Sequence, residues 1–250
     1  MSDPRYRCSF ETVAEQYERA RPLYADAAVD WIAERLGLGA RARVLDLAAG
    51  TGKLTRQLVA RGFDVVAVEP GDEMRGVLER VVPGVEARFG TAEEIPLPDG
   101  SVDAVTVGQA FHWFEPERAF AELRRVLRPG GGFALLWNQW DDDDPLLGPV
   151  DRLLAAIRPE AVAGATWREA CPVPLEERRF RQRRPLGVEA IVEWAGSTSG
   201  FVNASPADRE RIAAEIRRLG AGHDGLVSVA TEVFVGQFSD GSSGIRATSS

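Results

Sequence analysis

Histidine and cysteine are nearly missing from this chain of 250 residues: there are two of each, His112 and His223, Cys8 and Cys171. A structural zinc site takes four Cys or His ligands, so multi-histidine metal chemistry is nearly excluded and no metal is expected. One cysteine pair is a thin basis for a disulfide scaffold and reads as two reduced thiols in a cytoplasm. Lysine is scarcer still, with Lys53 alone among 30 basic residues. Acids number 38, and the net charge of −8 disfavours a protein whose task is to coat nucleic acid or anionic membrane. No apolar run approaches the roughly 20 residues that span a bilayer, and the polar start Met1-Ser2-Asp3-Pro4-Arg5 lacks a signal-peptide core. With 44% apolar and 27% charged residues, the chain can bury a sizeable core.

From about residue 43 to 138, short apolar runs alternate with amphipathic stretches. The runs are Val44 to Leu47, Val65 to Val68, Val85 to Phe89, Val102 to Val107 and Phe133 to Trp137. Most are too continuously apolar to have a solvated face, which fits strands of a parallel sheet covered on both sides. Leu54, Leu58 and Val59 share one helical face before Gly62; Phe120, Leu123 and Leu127 share another before Pro129-Gly130-Gly131-Gly132, which stops that helix. This alternation predicts a doubly wound α/β sheet.

Two helices are expected over residues 9 to 36, ended by Gly37, the second with Ala28, Trp31, Ile32 and Arg35 on one face. Residues 145 to 172 read as irregular helix. Strands are expected at 177 to 186 and 226 to 236, with two helices between, the second capped by Ser205. The Ser/Gly-rich tail 239 to 250 reads as disordered.

The most informative segment is Val44-Leu45-Asp46-Leu47-Ala48-Ala49-Gly50-Thr51-Gly52-Lys53, a buried strand running into a glycine turn and a helix. A phosphate-binding P-loop fails, because positions 47 and 54 are both Leu. A dinucleotide fingerprint is weak, because Thr55 stands where its third glycine belongs. The remaining reading is Asp46 and a glycine turn beside a ligand with a cationic amino-acid portion and a nucleoside. Nineteen residues after Gly50 comes Glu69, at the end of the second strand, where a carboxylate receives both ribose hydroxyls. Ribose without pyrophosphate points to S-adenosylmethionine.

At these residues the chain resembles class I S-adenosylmethionine-dependent methyltransferases, in the small-molecule group that includes trans-aconitate and ubiquinone-biosynthesis enzymes. The resemblance rests on Val44 to Lys53, Val68-Glu69-Pro70, Gly90 to Pro96, Gln109 to Phe114 and Leu127 to Gly131. It implies a seven-stranded Rossmann-like sheet, mostly parallel, with an antiparallel last strand and a helical lid. A single domain over 1–238 is expected: cover helices at 10–37, a cofactor core at 40–140, lid and acceptor-side segments at 145–220, the last strand at 226–236. The resemblance implies cofactor contacts from Asp46, Ala48, Gly50, Gly52, Glu69, Pro70, Thr91, Ala92 and Glu93. It also implies a cover helix bearing Phe10, Tyr17, Arg21, Pro22 and Tyr24, with Tyr17 and Arg21 on the cofactor carboxylate or facing water. Met74 is either core or set against the adenine. Two positions depart from the family: Ala48 replaces a common glycine and is expected at negative φ, and Thr91 replaces a common acid, which weakens the adenine contact.

Methyl transfer from a sulfonium is an in-line displacement with a neutral leaving group, so alignment dominates and no catalytic triad is needed. Gln109 and Ala110, at the end of the fourth strand, line the methionine side. His112 is a base or acceptor-orienting group, or a histidine that holds the loop. Trp113 and Phe114 shape the acceptor pocket or belong to the core, and His223 reads as a loop residue. Asp141 to Asp144 read as a solvated turn. The arginines from Arg178 to Arg184 read as the exposed face of an edge strand. The expected partner is a small-molecule methyl acceptor; nucleic acid is disfavoured, and the state is monomer or homodimer. The alternatives are a cofactor-binding regulatory protein, or an RNA or protein methyltransferase.

Overall fold

Val44, Leu45, Leu47, Val66 and Val68 are almost wholly buried, as parallel strands covered on both faces require. The structure, a computed structural model, describes residues 14–157 and 167–238. Its strands are β1 (Arg43–Leu47), β2 (Asp64–Val68), β3 (Glu86–Arg88), β4 (Val102–Gly108), β5 (Leu127–Trp140), β6 (Glu176–Pro185) and β7 (Leu226–Gln237). They form one seven-stranded sheet in the order 3-2-1-4-5-7-6. β1 to β5 run parallel, and β7 runs antiparallel to β5 and β6. The order reverses between β1 and β4, and such a reversal opens a crevice beyond the strands' carboxyl ends.

Helices α1 (Ala14–Ala20), α2 (Asp26–Arg35), α3 (Lys53–Ala60), α4 (Asp72–Val81) and α5 (Pro116–Val126) accompany the parallel half. α6 (Leu147–Ala155), α7 (Trp167–Ala170), α8 (Val188–Gly196), α9 (Ser199–Val202) and α10 (Pro206–Leu219) accompany the rest. Alternate strand residues point to opposite faces. Leu45, Leu47, Val105, Phe133 and Leu135 therefore meet Phe120 and Leu123 of α5, while Val44, Ala104 and Leu136 meet Ile32 of α2 and Leu58 of α3. A third core joins Trp194, Ile191, Ile212 and Ile216 to Trp140 and Val229. Each buried Leu or Ile contributes about 1.5–3 kcal/mol.

The structure differs from the sequence reading in several places. β3 is short and only half-buried, because it lies at the sheet's edge. Pro129 to Gly132 do more than end α5: they lie within β5, where the pairing slips between Val102 and Ala104. Three helices, not two, separate β6 from β7. The acidic run is not a solvated turn, since Asp141 and Asp144 are buried. Buried carboxylates need partners. Asp144 accepts the amides of Leu146, Leu147 and Ser228, while Asp141 takes Arg179, Arg181 and the Ser228 hydroxyl. β6 is the other edge strand, and its arginines are thereby partly neutralised. Cys8, Phe10, residues 158–166 and the tail from 239 lie outside the described residues. Among the described residues no helix is long and apolar enough to cross a membrane.

Candidate functional site

The chain leaves β1 and enters α3 through Ala48-Ala49-Gly50-Thr51-Gly52. Ala48 has φ 54°, against the expected negative value. The turn carries the Ala49 N–H to the Val68 carbonyl at 3.1 Å and the Gly50 N–H to Glu69 Oε2 at 2.8 Å. Those bonds offset a left-handed cost of roughly 1–2 kcal/mol for a residue with a Cβ. Gly52, at φ 84°, is a packing residue: a Cβ there would lie 3.1 Å from Leu78 Cγ of α4. It lines neither of the two cavities beside the loop described below.

Asp46 is almost wholly buried at the end of β1, accepting the Thr55 hydroxyl at 2.6 Å and the Thr106 hydroxyl at 3.4 Å. Burial pushes its carboxyl up to about 7, the Glu69 charge adds to the rise, and the two threonines oppose it. It borders a small cavity of about 40 Å³ shared with Arg21, Ala48, Gly50 and Gln109.

A larger cleft of about 380 Å³ lies beyond the ends of β1, β2 and β4. Of the residues singled out in the sequence, Tyr17, Ala48, Gly50, Glu69, Pro70, Met74, Thr91, Ala92, Glu93, Gln109, Ala110, Trp113 and Phe114 line it. Asp46, Gly52, Arg21 and His112 do not. Glu69 closes the loop from both sides, since its Oε1 also accepts the Gly71 N–H at 2.8 Å. Phe89, 65% exposed, stands on the cleft wall unforeseen.

A second cleft of about 300 Å³ meets the first at Tyr17, Gln109 and Trp113, which line both. Gln109 has φ 62°, and its side chain donates to the Asn138 carbonyl at 2.9 Å. Arg21 and His112 belong here, with Trp137, Trp140, Trp167 and Phe234. Arg21 donates to the Ser197 hydroxyl at 2.7 Å and carbonyl at 3.0 Å, and pairs with no carboxylate among the described residues. His112 Nδ1 accepts the Trp137 indole N–H at 3.2 Å. Burial, then the Arg21 charge, pushes its pKa down to about 4. His223 lines neither cleft and caps its own loop, accepting the Gly225 amide at Nδ1.

Sequence reasoning missed the anchors of the cover. Glu18 accepts the Thr51 hydroxyl at 2.6 Å and pairs with Lys53 at 3.4 Å and with Arg56. The sole lysine thus ties α1 to the glycine loop. Asn138 holds the carbonyls of Pro22 and Leu23, and is itself held by the Thr231 hydroxyl at 2.6 Å. A lone lysine beside a glycine turn was the available signal for Glu18. The Asn138–Thr231 link joins positions far apart in sequence and left none. Among the described residues, no group of three potential metal ligands converges.

The family profile described as a methyltransferase domain matches residues 45–135. An uncharacterized methyltransferase of Mycobacterium tuberculosis is 42% identical over 225 residues, covering 88% of each chain. A solved structure from Anaeromyxobacter dehalogenans, assigned as a type II methyltransferase, is 30% identical with a TM-score of 0.65, covering 87% of this chain and 97% of that one. A Haemonchus contortus phosphoethanolamine N-methyltransferase, solved with S-adenosylhomocysteine, shares the fold: 16% identity, TM-score 0.53, 92% of this chain and 58% of that one. By sequence and by fold alike, the chain belongs to the class I methyltransferase family.

Proposed function

We propose that this protein transfers a methyl group from S-adenosylmethionine to a small-molecule acceptor. The observation that carries the reading is the meeting of two clefts at Tyr17, Gln109 and Trp113, one walled by the glycine loop and Glu69, the other by aromatic side chains. The residues of the first cleft fit the cofactor. A carboxylate accepts up to about four hydrogen bonds, so Glu69 can hold the loop and receive ribose hydroxyls. Met74, Thr91 and Ala92 line the same cleft and would flank the adenine. Arg21, which pairs with no carboxylate among the described residues and lines the small cavity, suits the carboxylate of the methionine portion, and Asp46 suits its ammonium. When bound, the cofactor supplies an electrophilic methyl on a sulfonium. Gln109 and Trp113 would set the line between that methyl and the acceptor, and α1 with α8 would exclude water. Such alignment contributes about 7–11 kcal/mol in well-oriented reactions.

Incubation with methyl-labelled S-adenosylmethionine and a fractionated cell extract tests this. Label in one small molecule, with equimolar S-adenosylhomocysteine, is expected. Label confined to RNA or protein would contradict the acceptor class.

A further inference from the structure

Trp113, Trp137, Trp140 and Trp167, four of the chain's six tryptophans, line the second cleft together with Phe234. Trp137 and Trp167 stack at 5.2 Å and 18°, and Phe234 stands edge-on to both. Such a wall suits a flat unsaturated ring.

The polar edge of this wall has a fixed sense. An indole N–H only donates. His112 Nδ1, which receives it from Trp137, therefore presents a lone pair, and the neutral ring carries its proton on Nε2. No described residue accepts that proton. The charged groups lining the cleft with His112 are Arg21, Asp151 on α6, Arg168 on α7 and Glu232 on β7. Burial and Arg21 keep the ring neutral at physiological pH. His112 thus meets an acceptor as a donor and not as a base.

Aromatic walls also attract ammonium groups, but here a cation lies beside them and would repel a second one. The Arg168 guanidinium lies 5.2 Å from the Trp167 ring and 4.2 Å from the Phe234 ring. Glu232 is engaged by Arg179 at 3.6 Å. On the reading that this cleft receives the methyl acceptor, we propose that the acceptor is an aromatic ring bearing a lone-pair oxygen, a phenolate or ring carbonyl, seated on the Trp137–Trp167 wall with that oxygen on His112 Nε2–H. His112 orients the ring and takes up no proton.

Imidazole nitrogen NMR tests the first half on the full chain, with His223→Gln assigning the second histidine. A lone-pair signal at Nδ1, a protonated Nε2 and no titration between about pH 5 and 8 are expected. A proton on Nδ1, or a midpoint at the ordinary value near 6.5, overturns it. The second half is read with S-adenosylhomocysteine present, using 4-nitrophenolate, toluene and phenyltrimethylammonium as probes. Nitrophenolate is expected to bind and to move the Nε2 signal. His112→Phe should weaken that binding about tenfold, and His112→Gln, which can both accept from Trp137 and donate, should restore most of it. Preference for phenyltrimethylammonium, equal binding of toluene, indifference to His112→Phe, or no nitrophenolate binding at millimolar concentration while S-adenosylhomocysteine binds would each overturn the acceptor class. Failure of S-adenosylhomocysteine itself to bind would strike the methyl-transfer reading, and the NMR result would still decide the state of His112.

Discussion

The Glu69 carboxylate accepts the amide of Gly50 at 2.8 Å, so the acid at the end of β2 holds the turn that follows β1. A residue that shapes the loop and is proposed also to receive the ribose cannot be tested by deletion alone. The coupling between protein and ligand changes separates the two roles. Removing a ribose hydroxyl from S-adenosylhomocysteine is expected to cost the wild-type protein about 1.5–3 kcal/mol of binding and Glu69→Ala much less. Equal losses in both proteins would assign Glu69 to the loop only.

Asp46 sits near a pKa of 7 because burial outweighs the hydrogen bonds from Thr55 and Thr106. A ligand ammonium beside it favours the ionised carboxylate, so binding lowers this pKa and releases a proton. Affinity for S-adenosylhomocysteine should rise as pH increases through about 7 and then level off. Calorimetry in buffers of different ionisation enthalpy should show proton release at neutral pH. Heats that do not depend on the buffer would remove Asp46 from the ammonium site.

Glu18 is tied to Thr51, Arg56 and Lys53. Burial raises its pKa, but the Thr51 and Arg56 hydrogen bonds and the Lys53 charge outweigh it, so the net shift is downward. A carboxyl depressed in the folded state contributes stability above its ordinary value of about 4.3 and loses it as pH falls through the folded value. The cover helix α1 should therefore detach on acidification before the sheet opens. Hydrogen exchange over residues 14–20 checks this, and Glu18→Ala should speed that exchange already at neutral pH. Protection that is unchanged in the variant would show that α1 is held elsewhere.

Tyr24 leans on Gly108 so closely that a Cβ there would stand 2.4 Å from the phenol oxygen. Gly108→Ala should cost about 1–3 kcal/mol, and Tyr24→Phe in that background should recover part of it. Thermal denaturation of the two variants decides, and an undisturbed Gly108→Ala protein would refute the contact.

The parallel core was legible because Val44 to Leu47 and Val65 to Val68 have no solvated face, and the first cleft because the glycine turn and Glu69 are spaced by the geometry of one β-α-β unit. The conformation of Ala48 was not legible, since its positive φ is set by bonds to Val68 and Glu69, which a local propensity does not register. Nor was the burial of Asp141, whose partners Arg179, Arg181 and Ser228 come from strands far along the chain. The second cleft suffers most in this respect: Trp137, Asp151, Trp167 and Phe234 sit on four separate elements, and no motif joins them. Local spacing reveals a site built from one supersecondary unit and hides one assembled by tertiary packing.

The central claim, that the cleft beside the glycine loop holds S-adenosylmethionine, is tested most directly by calorimetric titration of the wild-type chain with S-adenosylhomocysteine. One-to-one binding with a dissociation constant in the micromolar range is expected. No detectable heat or displacement at millimolar ligand would contradict it.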